Sequence, residues 1–448
     1  MTRWRLKGLR AFAAIASVVV LGSCGGGAGT SPGSGPLPPL PPATKGKYFT
    51  HVVIVMQENR TFDNLFATFP GADGTRTGRL HDGTTIRLRE HPLYDANSPL
   101  NDHLTWRTAY NDGAMNGFDL IKFNGDPTAL YQYVEPAQLQ PYWSMAKQYV
   151  LADHLFQTQG SGSFTAHQDL IAGGAMVDPT KSLIDFPTAT PWGCDAPSST
   201  LTTLITGTNV YLPNDGPYPC LHYRTLRDTL DAKGITWRYY APQVGHSFGG
   251  DLWNAFDAID AVRNGPEWNT NVTWPETNVF KDIASGDLPS VAWVVPNFRN
   301  SDHPAADSDT GPSWVAQIVN AVGQSPAWDS TVVLIVWDDW GGWYDHVKPP
   351  GPYRFGGLGF RVPLIVVSPY AKRGYVMHAD YEFGSIVKLI EENWELPPLH
   401  TTDVRAASFV GAAFDFTQAP RAFVPIAAPY SRTFFERQRP SERAVDDE

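Results

Sequence analysis

The chain has 448 residues, of which 42% are hydrophobic and 12% aromatic, enough for a large buried core and too apolar for a disordered or fibrous polymer. Its length is roughly two to three times a typical domain, a size at which α/β enzymes often form one domain with insertions. A net charge of -11, with no basic cluster outside the extreme N-terminus, excludes the broad cationic surface that nucleic-acid binding needs. A small anionic ligand is not excluded, because a bound metal ion sets the charge inside a pocket.

In chain order, Arg3, Arg5, Lys7 and Arg10 precede an apolar run from Ala11 to Leu21 and then Gly22-Ser23-Cys24, the pattern of an export signal. Leu21-Gly22-Ser23-Cys24 resembles a bacterial lipobox, in which Cys24 receives lipid and becomes the mature N-terminus; an ordinary signal with an incidental Cys is the alternative. The run is too short for a comfortable membrane span. Residues 25–46, rich in Gly, Ser and Pro, read as a tether, flexible then stiffer. The expected location is the cell envelope, lipid-anchored at the outer membrane or facing the periplasm, or otherwise outside the cell. Cys194 and Cys220 are the remaining cysteines, and in an exported protein they predict one disulfide, with two free thiols as the alternative.

His51 to Met56 is a β-branched apolar run of strand length that stops at Gln57-Glu58-Asn59-Arg60. Further strands are predicted at Ile235–Tyr240, Ser290–Val295, Thr331–Trp337, which ends in Asp338-Asp339, and Val362–Val367. Helical patterns at Thr225–Ala232, Ser313–Val322 and Ser385–Trp394 alternate with them. The fold class is therefore α/β, with a mostly parallel central sheet and helices on both faces. Asn101–Asp119 and Asp178–Gly216 read as insertions forming a lid. One domain over 47–430 and a charged tail over 431–448 complete the expected organisation.

Ligands of such sheets collect beyond the carboxyl ends of the strands, where Glu58, Asn59, Asp338 and Asp339 would meet. Adjacent acids at a buried strand end are unfavourable without a cation. Their oxygen donors suit one divalent ion, Ca²⁺, Mg²⁺ or Mn²⁺ ahead of Zn²⁺. Helix capping, or pairing with Arg60 and Arg361, is the alternative for these acids. Gly160-Ser161-Gly162-Ser163 reads as a sharp turn that presents a hydroxyl, or as a plain loop.

Four segments in order, HVVIVMQENRTFDNLF, NDGAMNGF, SDHPAADSDTGPSWV and WDDWGGWYDHVKPP, resemble the bacterial phosphoesterase family of phospholipases C and acid phosphatases. Weaker similarity through TLRDTLDAKGITWRYYAP, VPLIVVSPYAKRGYV and GSIVKLIEENWELPPL extends the resemblance from Tyr48 to about Leu399. It implies an alkaline-phosphatase-like fold, with Glu58, Asn59 and the Asp338-Asp339 pair as metal ligands. It also implies a nucleophile that ligates the metal, in a segment resembling S/T-x-P-N whose counterpart is Ser163-Phe164-Thr165-Ala166. Thr165-Ala166 departs from the family's Pro-Asn, so Ser163 is the candidate with Ser161 and Thr165 as alternatives.

His303, in Ser301-Asp302-His303-Pro304, matches a family His-Pro motif, and His103 and His246 fall in similar regions, with Arg107 where some relatives carry a further His. Such imidazoles would bind phosphoryl oxygens and protonate the leaving alkoxide, or be structural. His346, in Tyr344-Asp345-His346, is expected to organise the site from behind. Arg60 would meet phosphate or pair with a site acid, and Asp63 and Asn64 are read as structural. The implied chemistry is metal-dependent attack by the serine hydroxyl and hydrolysis of a phosphoseryl enzyme.

The implied substrate is a phospholipid, cleaved as a diester, or a small phosphate monoester, and nucleic acid is not expected. A lipid would need an apolar approach, for which Leu130–Tyr149, Trp340 and Trp343 are candidate linings if they are not core. A noncatalytic surface lipoprotein would leave the acid clusters at two strand ends unexplained. A sulfatase-like enzyme would need a C-x-P-x-R segment, which the sequence lacks.

Overall fold

Strands that are apolar on both sides must be covered on both faces. In the computed structural model, which describes residues 37–242 and 252–439, this is what the apolar runs become. Cys24 and His246 lie outside the described residues. The central sheet has nine strands: β1 (His51–Gln57), β2 (Val150–Phe156), β3 (Trp237–Tyr240), β4 (Val272–Thr273), β5 (Val291–Val294), β6 (Thr331–Trp337), β7 (Arg361–Val367), β8 (Tyr375–Met377) and β9 (Tyr381–Glu382). Their spatial order is β4-β3-β5-β1-β6-β7-β2-β8, and β9 also pairs with β2. All pairings are parallel except the two made by β7, which runs antiparallel to β6 and β2.

Every residue of β1, β6 and β7 is buried. The helices fall into two packed groups: Ser163–Ala172 lies against Leu226–Ala232 and Phe383–Trp394, while Gly311–Gly323 lies against Gln140–Gln148 and Asn278–Ser285. The α/β architecture with a mostly parallel sheet is thus as the apolar periodicity predicts. The register of β1 on β6 runs from His51↔Thr331 to Gln57↔Trp337. Both strands therefore end level, and Glu58-Asn59 and Asp338-Asp339 leave the sheet side by side.

The first insertion forms a helix, His103–Tyr110, and the second a four-stranded antiparallel sheet between Met176 and Leu212. Trp340 and Trp343 are fully buried with Phe118, Tyr131, Tyr344 and Phe360 in a second apolar cluster, and Tyr142 is equally buried in the main core. They are core and do not form an approach for lipid.

Both presumed ends of the domain extend further than the composition suggests. Thr44, within the segment read as tether, donates its N–H to Ser290 Oγ at 2.8 Å and accepts Trp394 Nε1–H at 2.9 Å. Arg432–Arg437 is helical, with Phe435 buried 5.5 Å from the Trp314 ring, so the first part of the segment read as a solvated tail is docked. No described helix is long and apolar enough to cross a membrane.

Cys194 and Cys220 are disulfide-bonded across a separation of 26 residues. Closing a loop of that size restricts the unfolded chain, so a Cys194→Ala/Cys220→Ala double variant is expected to lose roughly 2–4 kcal/mol of stability. Urea unfolding measures this, and an unchanged midpoint would show that the bridge does not stabilise the fold.

Candidate active site

The ends of β1 and β6 are shaped by two backbone requirements. Asn59 adopts φ 58°, a left-handed conformation that Asn tolerates better than most residues, and its N–H donates to Asp338 Oδ1 at 3.0 Å. Gly341 has φ +59°, and a Cβ there would lie 2.1 Å from the Asn59 carbonyl oxygen, so glycine permits the close crossing of the two strand ends. Its N–H donates to Asp339 Oδ1 at 2.7 Å. Asn101, from the first insertion, donates Nδ2–H to both Asp339 oxygens at 3.0 Å.

Ser163 is the first residue of the Ser163–Ala172 helix, where Gly162 caps without a side-chain hydrogen bond. The helix therefore points its first N–H groups and the Ser163 hydroxyl toward the acids. Ser163 Oγ lies 3.0 Å from Asp339 Oδ2 and 3.3 Å from Asn59 Oδ1. Neither neighbouring hydroxyl does this. Ser161 Oγ accepts the Asp185 N–H at 2.9 Å, and Thr165 Oγ1 donates to the Asp185 carbonyl at 3.1 Å, both fastening the second insertion.

One helical turn beyond Ser163, on the same face, stands His167. Its Nε2 is 2.9 Å from Glu58 Oε1 and 3.6 Å from Asp338 Oδ2. Glu58, His167 and Asp338 each offer a ligand atom within 4.8 Å of the others, and all three are buried. Glu58 Oε2 and Asp338 Oδ2 are buried without hydrogen-bond partners.

Burial, and then the adjacent Asp338 charge, push the Glu58 carboxyl well above the usual carboxylate range. Burial also works against ionisation of Asp338, but attraction to His167 outweighs it and holds that carboxyl below its usual value. At His167, burial disfavours the charged ring, yet the Glu58 and Asp338 carboxylates raise it to about 10. Two carboxylates with orphaned buried oxygens, Glu58 and Asp338, beside a single imidazole fit a divalent cation. Of the residues expected as ligands, Glu58 and Asp338 meet at His167, Ser163 lies against Asn59 and Asp339, and the Asn59 N–H to Asp338 joins the two groups.

The expected histidines are more dispersed. His303 follows β5 in a loop whose Ser301 carbonyl accepts the Glu58 N–H at 2.7 Å. Its ring is buried against Phe298 and Trp253, with Nδ1 3.3 Å from Ser98 Oγ. His103 is buried and donates Nδ1–H to the Gly160 carbonyl at 2.7 Å, which leaves Nε2 as an acceptor. Burial pushes its pKa down to about 4. It lines a groove of about 800 Å³ with Arg107, Lys348 and Tyr353.

Residues 49–397 match the Phosphoesterase family. The chain belongs to that family. This makes it a hydrolase of phosphoester bonds. It is 24% identical over 440 residues to phospholipase C B of Mycobacterium tuberculosis, covering 84% of this chain and 79% of the relative. It is also 24% identical to the non-hemolytic phospholipase C of Pseudomonas aeruginosa, covering 77% of this chain and 54% of that one. A solved member of the alkaline phosphatase superfamily from Vibrio parahaemolyticus aligns at TM-score 0.37 and 10% identity, over 80% of this chain and 68% of its own.

Around the phosphoesterase site, two arginines have roles other than those weighed from the sequence. Arg60 donates to the Asp302 carbonyl at 2.7 and 2.8 Å, to Asn64 Oδ1 at 3.0 Å and to the Leu93 carbonyl, so it braces loops. Arg361 pairs with Asp345 at 2.9 and 3.1 Å and with Asp63 at 3.3 Å. Asp63 Oδ2 in turn lies 2.6 Å from His346 Nδ1. Asp63, Asp345 and His346 also have metal-like spacing, but the buried guanidinium already supplies the positive charge there. His346 and Asp63 therefore organise the loop after Asp339 from behind.

The residues that the structure adds to this cluster and the sequence reading did not single out are His167 and Asn101. For His167 the available signal was its spacing, four residues after Ser163 on one helical face. Asn101 comes from an insertion, and no sequence signal ties it to Asp339.

Proposed function

We propose that this phosphoesterase performs metal-dependent cleavage of a phosphodiester, of phospholipase C type, through a phosphoseryl intermediate at Ser163. The observation that carries the reading is the placement of Ser163 Oγ, 3.0 Å from Asp339 at the N-terminus of a helix that abuts the strand ends bearing Glu58-Asn59 and Asp338-Asp339. Relatives named phospholipase C support the diester substrate.

Glu58, Asn59, Ser163, Asp338 and Asp339 would hold one divalent ion. When bound, such an ion lowers the pKa of a coordinated hydroxyl and offsets charge developing on phosphoryl oxygens. Ser163 loses its hydroxyl proton to solvent and its Oγ bonds to phosphorus as the bond to the leaving alkoxide breaks; His303 is the candidate to protonate that alkoxide, with His103 and His246 as further candidates for binding the phosphoryl oxygens. Water then attacks phosphorus, releasing the phosphorylated alcohol and restoring the hydroxyl. The N-terminal signal pattern and the disulfide support export, with a lipid anchor on Cys24 holding the enzyme to the envelope.

A phosphomonoesterase of acid-phosphatase type is the second reading. It is favoured by the burial of Trp340 and Trp343, which removes one apolar approach for a lipid. Hydrolysis of p-nitrophenyl phosphorylcholine beside p-nitrophenyl phosphate, with and without chelator, separates the two. The expected result is preference for the diester, lost on chelation and restored by divalent ions. Preference for the monoester would transfer the assignment to the second reading, and no turnover of either with metals restored would overturn both.

A further inference from the structure

We propose that His167 Nε2 is itself a ligand of the ion held by Glu58, Asn59, Ser163, Asp338 and Asp339, so that the centre is a mixed nitrogen–oxygen site for a zinc-class transition ion. The inference rests on the metal-dependent reading above and specifies the class of the ion.

Three observations converge on it. The first is spacing. Two donors each about 2.1 Å from one ion lie about 3.0 Å apart at right angles and about 3.4 Å apart at the tetrahedral angle. His167 Nε2 stands 2.9 Å from Glu58 Oε1 and 3.6 Å from Asp338 Oδ2, the separations expected along the edges of one coordination shell.

The second is the pair of orphaned atoms. Glu58 Oε2 and Asp338 Oδ2 are fully buried and accept no hydrogen bond, the imidazole Nε2 lying 2.9 Å from Glu58 Oε1 but 3.6 Å from Asp338 Oδ2. A simple ion pair between His167 and Glu58 would satisfy one oxygen and leave these two in a dry interior, which is unfavourable. An ion shared by all three side chains would satisfy both.

The third is charge. Glu58 and Asp338 are two buried carboxylates that share one imidazole, and a single imidazolium offsets only one of them. A dication with a neutral imidazole offsets more. Imidazole is a common ligand of zinc-class ions, whereas calcium and magnesium take oxygen donors almost throughout. The nitrogen therefore turns the oxygen set away from the hard ions that its carboxylates alone would favour.

X-ray absorption at the zinc edge of the full-length protein, loaded with Zn²⁺, reads the coordination shell directly. The expected spectrum contains imidazole scattering that disappears in His167→Gln. In parallel competition titrations, His167→Gln is expected to weaken Zn²⁺ binding by at least about tenfold, with a much smaller effect on Ca²⁺. Stoichiometric zinc with an all-oxygen shell in the unaltered protein would overturn the role of His167 and leave the metal reading standing. Zinc, calcium and magnesium all failing to bind, with Asp338→Asn indistinguishable from the unaltered protein, would overturn the metal reading and this inference with it. The spectrum of the unaltered protein decides the matter even where the variant folds poorly.

Discussion

Ser163→Ala is expected to lower turnover of p-nitrophenyl phosphorylcholine by about a thousandfold or more, because removing the proposed nucleophile leaves only positioning and electrostatic stabilisation. The fold should survive the change. Asp339 loses one hydrogen bond but keeps Asn101 and the Gly341 N–H, so the stability lost should not exceed about 1 kcal/mol. Ser161→Ala and Thr165→Ala supply the contrast. Their hydroxyls bond the Asp185 backbone, so each is expected to lower stability by about 1 kcal/mol and turnover far less than Ser163→Ala. Steady-state kinetics beside thermal unfolding would show this division. Near-normal turnover in Ser163→Ala, with loss in Thr165→Ala, would move the nucleophile along the helix.

Arg361→Met should destabilise the protein by roughly 3–5 kcal/mol, as expected when one partner of a buried ion pair is removed and the other stays. Arg361 is fully buried and donates to both Asp345 oxygens and to the carbonyls of Asp73 and Asp153 at 2.8 and 3.0 Å. Its guanidinium also lies 4.7 Å from the centre of the Phe62 ring. Methionine replaces the packing and none of the donors, which leaves Asp345 and Asp63 facing each other in the interior. The loop from Asp338 to Val347 is fastened at this point, so on the proposed metal-dependent reading loss of metal should accompany loss of stability. Urea unfolding and metal analysis of the same samples test both. A stability loss under about 1 kcal/mol would mean that water or rearranged partners satisfy the two carboxylates, and that the cluster is not a brace.

Much of the scaffold was legible without coordinates. The runs that became β1, β6 and β7 are apolar on both faces, and such a pattern has few stable homes other than the middle of a covered sheet. Polar residues that end such strands sit at the sheet edge, which brings Glu58, Asn59, Asp338 and Asp339 to the same end of the sheet. The cysteine pair was legible for a similar reason, as two thiols in an otherwise cysteine-free body. Strand boundaries moved by one or two residues, as at Ile235, which lies ahead of β3.

Other features were decided by the tertiary structure. Ser161, Ser163 and Thr165 are chemically near-equivalent in sequence, and the start of the helix selects which hydroxyl meets Asp339. Trp340 and Trp343 read equally well as a lipid approach or as core until the first insertion is seen packed over them. Arg361 could have paired with the site acids, but its position at the start of β7 places it on Asp345 and Asp63. Periodicity specifies which face of a strand or helix is buried, and says nothing about which distant element will cover that face. Asn59 and Asp338, 279 residues apart, are joined by the register of two parallel strands, and His167 reaches Glu58 only because its helix packs beside their ends. Contacts of that kind are set by three-dimensional packing, so local sequence determined the composition of the site and the fold determined its geometry.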